Sequence, residues 1–115
     1  IRDRHSMGSS TDTTFSLTGA GFTPKAVICF ANENNTDRSA IGFAEDDSNG
    51  ERCLAQVGGS TYAKVLYSQI AQVIVSAGND AKYSVTTWGS DGITITYTKN
   101  GSPTGTAQLL ILAIG

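Results

Sequence analysis

The segment Ile93–Thr98 (ITITYT) alternates without a break: Ile93, Ile95 and Tyr97 fall in one phase, Thr94, Thr96 and Thr98 in the other. A period of two with threonine on the second face is the pattern of a half-buried strand. Similar segments are Thr13–Thr18, Lys25–Ala31, Ser39–Glu45, Glu51–Val57, Ile70–Ser76 and Lys82–Trp88, with Tyr62–Tyr67 the least regular. They recur roughly every 8–12 residues, the spacing of an all-β sandwich or barrel. Phe15 and Leu17 share one face, as do Ile41 and Phe43; Tyr83, Val85 and Thr87 share another. The runs Lys25–Ala31 (KAVICFA) and Thr106–Ile114 (TAQLLILAI) are apolar in both phases. The first therefore reads as a central strand. The second must be a central strand or be packed against another subunit.

The punctuation agrees. Asn49-Gly50, Asp91-Gly92 and Asn100-Gly101 are tight-turn pairs, because Asn, Asp and Gly tolerate positive φ. No segment sustains a helical apolar stripe. With eight or nine strands the expected fold is all-β: a two-sheet antiparallel β-sandwich, with a jelly roll as one way to connect it. The 115 residues suit one domain, 13–115. Residues 1–12 (IRDRHSMGSSTD) are polar and rich in Gly and Ser, and read as an extended N-terminal arm or linker.

Charged residues make up 16 % of the chain, against a usual share of about 25 %. That excludes a charged disordered tail. The net charge is −2 and no basic stripe is visible, so nucleic acid is not an expected partner. No apolar run reaches the ~18 residues of a membrane-spanning helix, and no membrane partner is expected. The chain opens on Ile1, as a processed or truncated product would, and shows no signal-peptide pattern. Cys29 and Cys53 both fall in strand-like segments, as two free buried thiols or as a disulfide.

Groups for chemistry are sparse. The one histidine, His5, lies in the polar arm, a poor platform for a catalytic triad. No catalytic set and no cofactor are expected, and the chain does not read as an enzyme. The turn Glu45–Gly50 holds Asp46, Asp47 and Asn49 as candidate calcium ligands. Set on the EF-hand pattern, however, Glu45 stands where Asp belongs and Gln56 where Glu belongs, so a solvated hairpin tip is the plainer reading. Gly19-Ala20-Gly21 lacks the third glycine of a dinucleotide fingerprint and reads as a tight turn. Trp88 with Tyr62, Tyr67, Tyr83 and Tyr97 could stack on sugar rings, although Tyr83 and Tyr97 are in phase with a core. Trp88, at a strand end, is the best exposed candidate, and Asn34 and Asn35 in the loop 32–37 could supply amide contacts to a glycan.

The segment Gly21, Phe22, Pro24, Lys25, Ala26, Val27, Ile28 resembles the opening of a core strand in small β-sandwich structural proteins of tailed bacteriophages, and TAQLLILAIG resembles their closing strand. The resemblance covers the two ends of the domain well and the middle loosely. It implies a virion protein, from head decoration, neck or tail, that acts through many-copy assembly with itself, in homo-oligomers such as trimers, and with other virion proteins. The arm would then reach a neighbour through Arg2, Arg4 and His5. Read physically, Pro24 belongs just before its strand, Phe22 would tuck under the sheet, and Lys25 can lay its stem along the edge. The other function class is a carbohydrate-binding or host-attachment module using Trp88, Asn34 and Asn35.

Overall fold

The computed structural model describes residues 1–34, 36–46, 50–56 and 63–115, with 63–67 as backbone only. In chain order the strands are β1 Arg2–Ser6, β2 Thr13–Thr18, β3 Ala26–Glu33, β4 Ser39–Glu45, β5 Glu51–Gln56, β6 Ala63–Tyr67, β7 Ala71–Ser76, β8 Asn79–Gly89, β9 Gly92–Asn100 and β10 Thr106–Ile114. They form a six-stranded sheet, ordered β1-β10-β3-β4-β5-β6, and a four-stranded sheet, ordered β2-β9-β8-β7. Every pairing is antiparallel. The fold is the expected all-β sandwich. Its connections are two meanders, β3 to β6 and β7 to β9, rather than the paired Greek keys of a jelly roll.

The arm is a correction. Residues 2–6 are a strand of the protein's own sheet, with Arg2 opposite Leu110 and Ser6 opposite Thr106. Its alternation is real but polar: Arg2, Arg4 and Ser6 face out, while Ile1, Asp3 and His5 are half-buried and Met7 is buried. Met7 is fixed in place, its amide donating to the Gly105 carbonyl at 2.9 Å and its carbonyl accepting from the buried Tyr97 hydroxyl.

The core joins two unequal surfaces. The four-stranded sheet contributes large side chains, Tyr83, Tyr97, Ile95, Ile93 and Val73. The six-stranded sheet answers largely with small ones, Cys29, Ala31, Ala40, Ala44, Cys53, Ala55 and Ala107, with Val27, Leu109 and Ile111. Large against small is how two sheets fill the space between them without voids. Backbone approaches closely at Gly42, on β4. A Cβ built there would lie 1.9 Å from the Ile70 carbonyl oxygen and 2.8 Å from that of Arg52.

The Gly19-Ala20-Gly21 turn is held by Asp91 of the β8–β9 hairpin. Its carboxylate accepts from the Gly21 amide at 2.7 Å and from the Gly19 amide at 3.2 Å. Gly19 and Gly21 adopt φ of 105° and 77°, which favours glycine. Pro24 is buried at the mouth of β3, as expected. Phe22 departs from expectation: it packs on Gly115 and stays exposed instead of tucking under the sheet.

Candidate functional site

Small residues turned inward leave the large ones facing out. Register lines up one row across the outer face of the six-stranded sheet, Arg2–Leu110–Phe30–Ile41–Leu54, and a second, Leu112–Ile28–Phe43–Arg52. Below them runs Ile114–Ala26–Glu45; above them runs a polar row, Arg4–Gln108–Asn32–Ser39–Gln56. Phe30, Ile41, Phe43, Leu54, Leu110, Leu112 and Ile114 are each 44–56 % exposed. At roughly 150–250 Å² for a large side chain, they leave on the order of 600 Å² of apolar surface open. The largest patch of a typical monomer is about 300–600 Å²; one partner of a standard interface contributes about 800 Å². A shallow depression of about 450 Å³ between Ile28, Ile41, Phe43, Arg52 and Leu54 roughens this face. Solvent gains nothing from such a surface, and a covering protein surface does.

Arg2 and Arg4 lie exposed along the β1 border of this face. His5 does not join them. It points inward, its ring stacked on Phe15 at 4.8 Å and packed on Tyr97 at 4.5 Å, with Nδ1 3.1 Å from the Tyr83 hydroxyl. Burial lowers its pKa, against a smaller opposing pull from Asp3. His5 thus packs between the sheets, because β1 is a strand of the sandwich. Tyr83 and Tyr97 are buried, as their phase required.

Of the calcium candidates, Asp46 lies among the described residues. Asp46 is exposed at the end of β4, where its amide donates to the Lys25 carbonyl at 2.9 Å. Asp47 and Asn49 lie outside the described residues. Among the described residues no group of three or more His, Cys, Asp or Glu could hold a metal. Cys29 and Cys53 are free and buried. They share a face on either side of Gly42, two strand spacings or roughly 9.6 Å apart, beyond the reach of a disulfide. Burial pushes the Cys29 thiol up to about 12 and the Cys53 thiol to about 11, so neither is a nucleophile at neutral pH.

The glycan candidates among the described residues, Asn34 and Trp88, sit at opposite ends of the sandwich. Asn34 follows β3, its side-chain oxygen accepting from Gln108 Nε2 at 2.7 Å. Trp88 lies roughly 25 Å away by strand rise, beside Glu45 at the other end of β4. Asn35 and Tyr62 lie outside the described residues, and Tyr67 is described as backbone only. Trp88 is half-buried against the core and lines a cleft of about 290 Å³ with Glu45, Asp46, Glu51 and Val85.

Glu51 is the titratable group that sequence reading passed over. Its carboxylate accepts from the Val85 amide. Burial nonetheless pushes its pKa from 4.5 up to about 7, opposed by hydrogen bonds from Val85 and Ser84. A carboxyl with a raised folded-state pKa favours folding fully below its unfolded value, and that contribution is lost as pH rises through the folded value. Stability is therefore expected to fall between pH 4.5 and about 7 by on the order of 2–3 kcal/mol from this group. Urea unfolding of the wild type and Glu51→Gln across that interval checks it. The variant should lose this part of the slope; parallel profiles would contradict the assignment.

No protein-family model, curated protein or solved structure matches the chain.

Proposed function

We propose that this chain is a non-enzymatic structural subunit of a bacteriophage particle, acting by assembly with copies of itself and with other virion proteins. One observation carries the reading: the outer face of the six-stranded sheet is apolar over nearly the area that one partner brings to a stable interface. A subunit that works by packing needs a surface of this kind, and it needs no preorganised nucleophile, base or metal. The resemblance of Gly21–Ile28 and of the closing strand to phage β-sandwich proteins directs the proposal to a virion. Many weak copies then hold through avidity. Quantitative mass spectrometry of purified particles encoded with this chain tests it. The proposal expects the chain in many copies per particle; its absence from intact particles would overturn it.

A second reading, a glycan-binding or host-attachment module, has one observation in its favour. Trp88 shares its cleft with Glu45, Asp46 and Glu51, an aromatic ring beside hydrogen-bonding groups. A glycan array probed with wild type and Trp88→Ala tests it. Binding that the variant loses while keeping its fold supports the reading; no binding by the wild type removes it.

A further inference from the structure

We infer that the occupant of the apolar outer face is a second copy of this chain, turned over about a diagonal of the face so that the Arg2–Arg4 border of each copy lies over the Glu45 corner of the other. This rests on the assembly reading above and specifies its contact. Three observations lead to it. The face is apolar across β10, β3, β4 and β5, like the more apolar interfaces of homodimers. Its open area approaches what each partner of a standard interface supplies.

Its charges are also arranged for a partner. Arg4 and Glu45 are three strands and six residue positions apart. That is roughly 25 Å by strand spacing and rise, too far to pair within one chain. Both are exposed, and among the described residues neither makes an ion pair. The diagonal that exchanges these corners passes close to the centre of the apolar rows. A twofold axis along it would bury Phe30, Phe43 and Leu112 and set opposite charges together at both rims. The contact would be isologous, each copy giving the same patch. The strands of the two sheets would cross steeply, one of the two arrangements that packed sheets adopt.

Sedimentation equilibrium of wild type, Arg4→Glu, Glu45→Arg and the double reversal tests this. Both substitutions are at exposed positions, and circular dichroism checks that the fold is kept. The inference expects a wild-type dimer or a multiple of it. Each single reversal, placing like charges together at both rims, should weaken association by about tenfold. The double reversal should restore it to near the wild-type value. A double variant as weak as the singles, or association indifferent to all of them, would overturn the contact while leaving assembly through another surface standing. So would a trimer. A wild type that stays monomeric at every concentration would overturn both readings. A monomer that instead co-floats with phosphatidylcholine vesicles would give the face to a lipid surface.

Discussion

The double variant Phe43→Asp, Leu112→Asp is expected to be a folded monomer. Both side chains are about half exposed, and neither touches the inner face, where Cys29, Ala44 and Ile111 pack. On folding, each change gives up a half-buried apolar side chain and adds a strand-propensity cost, about 1–2 kcal/mol in all. On assembly, each places a carboxylate in an apolar contact with no partner for its charge. That penalty runs to several kcal/mol per group, so association should weaken by about a thousandfold or more. Light scattering read beside a thermal melt separates the two effects. A loss of mass with a cooperative melt lowered by no more than roughly 10 °C is the expected result. An oligomer that persists in the variant would mean the copies meet elsewhere.

Gly42→Ala should be strongly destabilising although it adds a single methyl group. The added carbon would sit 1.9 Å from the Ile70 carbonyl oxygen and 2.7 Å from its carbon, both of them backbone. No rotamer change relieves such a clash, so β4 and the Ile70 backbone must move apart. Overpacking of this kind costs about 3 kcal/mol or more, lowering Tm by roughly 10 °C or more. Gly8→Ala is the matched control, since its nearest neighbour would be the Ser6 hydroxyl at 3.7 Å, an ordinary contact. Equal melting temperatures for the two variants would contradict the close approach of β4 to the Ile70 segment.

The strands were legible in the sequence because their alternation and their Asn-Gly and Asp-Gly turns obey local rules. Ile93–Thr98 became the interior of β9, with Ile95 and Tyr97 buried and the threonines between them half-buried. The choice of inner face was harder. In KAVICFA, SAIGFAE and LLILAI both phases are apolar, so periodicity does not say which one enters the core. Burial area alone would favour Phe30, Ile41 and Phe43. The interior is instead already supplied with Tyr83, Tyr97 and Ile95, and the space that remains admits alanine, cysteine and glycine. The signal was present as a run of small residues in one phase, Ala40, Gly42 and Ala44, which marks a close approach between layers.

Strand β1 was hidden for a related reason. Its inward positions, Asp3 and His5, are polar, so hydrophobic periodicity registers nothing there, and the following Gly8, Ser9 and Ser10 read as linker. The stacking of His5 on Phe15, contributed by β2, depends on a contact between strands in different sheets. Likewise, the raised pKa of Glu51 arises from burial beside Val85, 34 positions along the chain. The expectation that Thr106–Ile114 is either central or packed on another subunit was closest to the outcome. The strand β10 pairs with β1 and β3, buries Leu109 and Ile111, and leaves Leu110, Leu112 and Ile114 open.

The central claim is that this sandwich is completed by its own copies. The solution mass of the unmodified chain, followed by light scattering from nanomolar to high micromolar concentration, tests it most directly. A mass rising to a defined multiple of 12.0 kDa is the expected result. A mass of one chain across the whole range would contradict it.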